Sequence, residues 1–375
     1  MSTLHEALGD ASIVITCGPG GVGKTTSAAA LGLALASTSD RRVLVLTIDP
    51  AKRLADALGL TGIGNEPVAV EVDGPGSLDV AMLDTSASWD GLIRRHAPND
   101  ATAETILRNS LYQNITRRFV QSHDYVAIER VRELVESARY DLLIVDTPPT
   151  RNAIDFLEAP ERMADFFSSR LLRWLLAPAR GGIVGLAAKP FTQLADRVLG
   201  SGFLSDITEF FTALSSLHQG FVERARDVAS LLNDDATVFL VVSTLEREPL
   251  READFFVREL HQRSLRVVGW VANRVLPVTL RSIPEADLDV ALASVAKETG
   301  GDDDATIVAA LRDAYDDWSS RARAEGHELR HLDTQGVPLF AVSGADGQLG
   351  SVAGVRDFGF TLLASKGVES AEEQP

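Results

Sequence analysis

The stretch that most limits what this chain can become is Gly18-Pro19-Gly20-Gly21-Val22-Gly23-Lys24-Thr25-Thr26. It lies between an apolar run at 12–16 and the small-residue sequence Ser27-Ala28-Ala29-Ala30-Leu31. It fits G-x-x-x-x-G-K-[ST] in the strand-then-helix setting that a phosphate loop requires. The demand is physical. A polyphosphate has to be wrapped by backbone N–H groups at close range, and side chains at Gly20, Gly21 and Gly23 would block that approach. A helix starting near Lys24 adds its positive end and unpaired N–H groups. Lys24 is then expected to reach the β- and γ-phosphates, and the Thr25 hydroxyl to ligate magnesium. The chain is expected to bind a nucleoside triphosphate.

A length of 375 residues holds one large α/β domain with insertions, or two modest ones. Lys plus Arg number 36 against 53 Asp plus Glu, a net charge of -17. Such a surface repels phosphate backbones and anionic lipid, so no nucleic-acid partner is expected. Cys17, the single cysteine, leaves no internal disulfide and no multi-thiolate metal site within one chain. No signal peptide is read at the N-terminus. The apolar stretch at 171–191 is broken by Arg173, Arg180 and Lys189, which disqualifies it as a membrane span. A cytoplasmic location is expected, with peripheral attachment to a membrane left open.

After a short leader at 1–11, strand-like runs fall at 12–16, 42–47, 68–72, 78–82, 141–145, 237–243, 266–272 and 337–342. Helical patterns occupy 24–36, 251–263, 305–324 and 352–364, with longer helical blocks at 86–138 and 151–233. The runs at 68–72 and 78–82 bracket a Gly74-Pro75-Gly76 turn. This alternation predicts an α/β fold with a mostly parallel central sheet flanked by helices. In such sheets ligands sit at the carboxyl ends of strands. The phosphate loop, Asp49, Asp146 and Asn273 all follow strands in this reading, which puts them on one rim.

Asp146 closes the apolar run Leu142-Leu143-Ile144-Val145, where a carboxylate that holds magnesium belongs. Asp49 follows the second strand and is placed to orient or deprotonate the attacking water. At this point the motifs become specific. The glycine-rich loop resembles the deviant Walker A of MinD/ParA-type ATPases. Asp49-Pro50-Ala51-Lys52-Arg53-Leu54-Ala55-Asp56 resembles the D-P-A-x-x-L-x-D segment of the ArsA family. That family contains arsenite-pump ATPases and the eukaryotic targeting factor for tail-anchored membrane proteins. Tyr140-Asp141 through Asp146-Thr147-Pro148-Pro149-Thr150 is similar to its second switch, continued by Phe156-Leu157-Glu158-Ala159-Pro160. Val271-Ala272-Asn273-Arg274 resembles its base-recognition turn, and Val337-Pro338-Leu339 its V-P-L strand.

The resemblance covers nearly the whole chain, and it implies roles residue by residue. Gly18, Gly20, Gly21, Val22, Gly23, Lys24, Thr25 and Thr26 cradle the phosphates of ATP. Lys24 and Asp49 are the catalytic pair, Thr25 and Asp146 hold Mg2+, and Asn273 with Pro338 recognises adenine. The implied fold is a single P-loop domain with its nucleotide core at 12–85, 139–160 and 235–365. A helical subdomain is formed by 86–138 and 161–234, and 366–375 is a disordered acidic tail. One such domain per chain implies a homodimer, or a heterodimer with an ArsA-like subunit. The partner implied for the helical block is a hydrophobic or membrane-associated client, or an anion.

Two departures qualify the resemblance. The deviant Walker A carries a lysine at the position of Pro19 that reaches the partner's nucleotide, and proline offers neither charge nor N–H. Slow hydrolysis is therefore expected, unless Arg53, Arg151 or a partner supplies the cation. With only Cys17, neither thiol-bound arsenite nor a C-x-x-C zinc between subunits is available. Cys17 itself reads as a small buried filler. His327-Glu328-Leu329-Arg330-His331 matches the H-E-x-x-H of zinc proteases. The run at 329–332 reads as extended, however, and residues four apart on a strand lie about 13 Å from each other. The motif is therefore left as surface. Two other readings of the whole chain stand beside the ArsA one: an ATP-holding regulatory subunit that barely hydrolyses, and a MinD/ParA-like positioning ATPase.

Overall fold

The computed structural model describes residues 2–48, 53–60, 62–109, 112–113, 120–149, 154, 156–159, 161–162, 165, 218–299, 304–344 and 349–368. Eight strands form one sheet: β1 (Ile13–Cys17), β2 (Arg42–Thr47), β3 (Val68–Val70), β4 (Ser77–Met82), β5 (Leu142–Asp146), β6 (Thr237–Ser243), β7 (Val267–Val275) and β8 (Leu339–Ser343). Their order is β3-β4-β2-β5-β1-β6-β7-β8. Every pairing is parallel except β3 with β4. The central strands β1, β5 and β6 are buried along their whole length. Strands covered on both faces need continuous apolar runs, and Ile13-Val14-Ile15 and Leu142-Leu143-Ile144-Val145 supply them.

Helices cover both faces. On one side lie α1 (Leu4–Leu8), α2 (Lys24–Thr38), α3 (Arg53–Leu58) and the C-terminal helix α11 (Val352–Ala364). The other side carries α4 (Thr85–His96), α5 (Asp100–Arg108), α6 (Val120–Glu136), α7 (His218–Leu232) and α8 (Arg247–Gln262). Helix α2 is apolar nearly all round, which suits a helix buried on every side. Its small residues let α11 come very close: a Cβ on Gly359 would stand 2.1 Å from the Ala30 carbonyl oxygen. After β7 a 3-10 turn (Val278–Arg281) leads into α9 (Glu285–Thr299) and the 28-residue α10 (Asp304–His331), which returns the chain to β8.

Several expectations are corrected. Residues 2–11, expected as a short leader, are part of the fold: Leu4 is fully buried, and Thr3 bridges to Lys366. Residues 366–368, expected to belong to a disordered tail, are placed in the fold, Gly367 also bridging to Phe340; residues 369–375 lie outside the described residues. Helix α9 was not anticipated at all. Residues 329–331 are not extended but close α10, because the buried Ala322 and Leu329 keep helical spacing and Gly326 between them does not end the helix. Asn273 is not beyond its strand but inside β7. The aromatic and leucine pairs at 166–211 lie outside the described residues.

Candidate functional site

The site grows from the end of β1. Gly18 has φ +140°, and a Cβ there would lie 2.0 Å from the Val242 carbonyl oxygen on β6. Gly21 and Gly23 also take positive φ, +79° and +100°. Side chains rarely follow such a path, so the loop's curvature is written in its glycines. Gly23 is the N-cap of α2, and no side chain caps that end. The first-turn N–H groups and the positive end of the dipole are thereby offered to an anion. The buried Lys24 ammonium donates to the Pro19 carbonyl at 2.7 Å, which fixes it across the mouth of the loop.

Three strand ends meet beside it. Asp146, the last residue of β5, is fully buried, and its Oδ2 accepts from Thr25 Oγ1 at 2.7 Å and from Thr47 Oγ1 at 2.9 Å. A buried carboxylate is costly unless it is hydrogen-bonded, paired or bound to a cation. This one is held by hydroxyls from two different elements. The donor set, one carboxylate and a P-loop threonine hydroxyl, is all oxygen and suits a hard divalent cation such as Mg2+. Thr47 was missed by sequence reasoning, although its place two residues before Asp49 at a strand end was a usable signal. Behind Asp146, Thr147 donates to the Thr16 carbonyl at 2.8 Å and ties the segment after β5 to β1. Pro149 then leans over the loop: a Cβ on Gly20 would sit 3.7 Å from its Cγ.

The remaining candidates divide. Asn273 is brought to the loop, its Nδ2 donating to the Val22 carbonyl at 2.8 Å. Pro338 is not. It precedes β8, and five strand steps of about 3.3 Å separate it from Ser343 at the rim, roughly 16 Å in all. Its carbonyl accepts from Trp270 N instead, at 2.8 Å. Asp49 and Arg151 lie outside the described residues, as does the side chain of Arg53. Pro19 is buried and cannot reach out toward a partner. Cys17 is buried as expected, and burial pushes its thiol well above the usual range.

The two histidines of H-E-x-x-H do share a helical face, their ring centroids 4.2 Å apart. A zinc protease needs a third ligand, and among the described residues no group of three or more His, Cys, Asp or Glu could hold a metal. No helix among the described residues is long and apolar enough to cross a membrane.

Comparison with known proteins agrees with this geometry. The family model for anion-transporting ATPases (ArsA_ATPase) matches residues 11–287. "ATPase GET3" of Rhodotorula glutinis is 27% identical over 261 residues, 69% of this chain and 68% of that protein. "ATPase GET3" of Malassezia globosa is 26% identical over 280 residues, 73% of this chain and 76% of its own length. "ATPase ASNA1 homolog" of Entamoeba dispar is 26% identical over 279 residues, 71% and 76% respectively.

Proposed function

The chain belongs to the ArsA family of anion-transporting ATPases and is an ATP hydrolase; from that premise we propose that its hydrolysis cycle drives a conformational switch acting on a hydrophobic client. In this reading Gly18 to Thr26 wrap the phosphates, with Lys24 on the β- and γ-oxygens. Thr25 and Asp146 would hold Mg2+, which when bound would neutralise charge on the phosphates. Asp49 orients the attacking water and accepts its proton. Asn273 reads the adenine edge. The observation that carries the proposal is the convergence of Thr25 and Thr47 on Asp146 directly beside the phosphate loop.

The switch follows from where these groups are anchored. Pro149 rests against Gly20, and Thr147 is bonded to β1. Loss of the terminal phosphate therefore changes the seat of the second switch, which leads directly into the segment before α7. Domain pairing, a homodimer or a heterodimer with a related subunit, would let a partner supply the cation that Pro19 lacks. Slow turnover in isolation is the consequence, because a cation on the transferring phosphoryl group is worth orders of magnitude in rate. A cytoplasmic site of action fits this scheme.

Asp49→Asn is the decisive variant. ATP binding should persist while phosphate release falls at least a hundredfold; unimpaired release would remove Asp49 from the mechanism. The same trapped protein, given ATP, should retain a labelled transmembrane peptide that the wild type releases. Equal retention with ATP and ADP would dispose of the client switch.

A further inference from the structure

Asn273 does more than stand near the nucleotide rim. The register between β7 and β8 runs Ala272↔Ala341 and then Val275↔Ser343, so β7 carries one extra residue there. A bulge of this kind re-aims a side chain. Arg274 takes φ +60°, a conformation that few non-glycine residues adopt, and its N–H donates to Asn273 Oδ1 at 2.9 Å. Two residues on, Leu276 N donates to Glu325 Oε2 of α10 at 2.7 Å. The distorted strand is thus pinned on both sides of the bend.

The buried amide so aimed meets the phosphate loop. Asn273 Nδ2 donates to the Val22 carbonyl at 2.8 Å. The slot exists only because residue 23 is glycine, since a Cβ there would stand 2.4 Å from that nitrogen. The Val22 carbonyl and the Gly23 N–H belong to one trans peptide plane and point in opposite directions. Fixing the carbonyl toward β7 therefore turns the Gly23 N–H away from it. That N–H is held where an anion can use it, before any nucleotide arrives.

We infer that Asn273 is a positioning residue for the phosphate loop, holding the Val22–Gly23 peptide in its phosphate-receiving orientation. The inference rests on the ATPase reading and adds to it. An asparagine amide has two N–H groups and two acceptor lone pairs. One of each is committed to Val22 and Arg274, which leaves one of each for a base edge. Base reading and loop setting are then functions of a single side chain, and they can be separated by a ligand that has no base.

The test uses the full chain, wild type against Asn273→Leu, which is close in shape and forms no hydrogen bond. Binding of Mg2+ with inorganic tripolyphosphate, ATP and GTP is measured by calorimetry. Amide exchange is followed in the peptide covering 18–26. One hydrogen bond of ordinary net strength predicts a three- to tenfold loss of tripolyphosphate affinity, roughly. Exchange at residues 22–24 should speed up with β1 and β6 still protected, a local signature that general destabilisation would not give. Unchanged tripolyphosphate affinity, with only ATP weakened, would make Asn273 a base reader and overturn the inference. Should the leucine variant fail to fold, Asn273→Ser carries the same expectations. A wild type that bound tripolyphosphate but did not hydrolyse ATP would instead count against the functional reading, leaving the brace intact.

Discussion

The two faces of the sheet are built on different principles. Against one face, α2 and α11 meet where Gly359 packs on Ala30 and Ala34, within a cluster of buried apolar side chains. Against the other, α6 and α7 bury ions. Glu129 accepts from Arg132 at 2.8 Å and pairs with Arg224 of α7 at 3.5 Å, all three nearly out of solvent. His96 and Arg95 lie beside them. A close-packed apolar face has one arrangement and resists change. Buried ion clusters contribute little net stability and have alternatives in water once their helices part. The phosphate loop opens onto the first face, through α2. The helices that flank the 161–217 segment belong to the second. The proposed client switch would then act through the second face while phosphate binding stays with the first.

The largest expected effect tests the ionic side. Glu129→Leu removes the carboxylate shared by two buried guanidiniums and should cost about 3–5 kcal/mol in urea denaturation. Combining it with Arg132→Met and Arg224→Met should recover most of that loss, because an apolar replacement of a buried ion cluster is often neutral. Failure to recover would mean that the cluster is itself a net source of stability, and the contrast between faces would weaken. Next comes Gly359→Val. Its side chain meets the Ala30 backbone, which cannot step aside, so about 2–3 kcal/mol should be lost with no rescue by neighbouring substitutions. A cost near zero would show the α2–α11 contact to be soft. Smaller again is Glu325→Leu, which frees Leu276 N and should cost about 1 kcal/mol. ATP affinity should fall by less than it does in Asn273→Leu.

What the sequence disclosed follows the same division between local and distant. The phosphate loop and Asp146 were legible because each is a contiguous motif whose chemistry dictates residue type and spacing. Most strands were legible for their apolar runs. Thr47 was not, because its role comes from the register that sets it beside Asp146 across β2 and β5, a pairing 99 residues apart in sequence. Asn273 was placed at the nucleotide by motif alone. Its bond to Val22 spans 251 positions and depends on a bulge that no local pattern announces. The Leu329–Leu332 spacing fits strand or helix equally, and only the seating of Ala322 and Leu329 decided for helix. Pro338 lies away from the phosphate loop for the converse reason: a matching tripeptide gives no information about which end of a strand it marks.

The least expensive way to sharpen the contrast is pH. His96 is about half-buried among Arg224, Arg95 and Arg132, with Glu133 opposing them, and burial together with the three guanidiniums drives its pKa down to about 4. In the unfolded chain the same group titrates near its ordinary value of 6.5. Between those two values the unfolded state binds the proton and the folded state does not, so folding stability must fall as pH drops from about 6.5 toward 4. Above 6.5 both states are neutral and His96 contributes no slope. The effect should be modest, since the ring is partly in contact with solvent that screens its neighbours. His96→Gln should flatten the decline in melting temperature over that window and leave the pH 7–8 values alike. Gly359 packs on the Ala30 backbone and Ala34, away from His96, so Gly359→Val should lower the whole curve without changing its shape. A His96→Gln curve parallel to the wild type would place the acid sensitivity elsewhere and leave the ionic side of the sheet as static as the other.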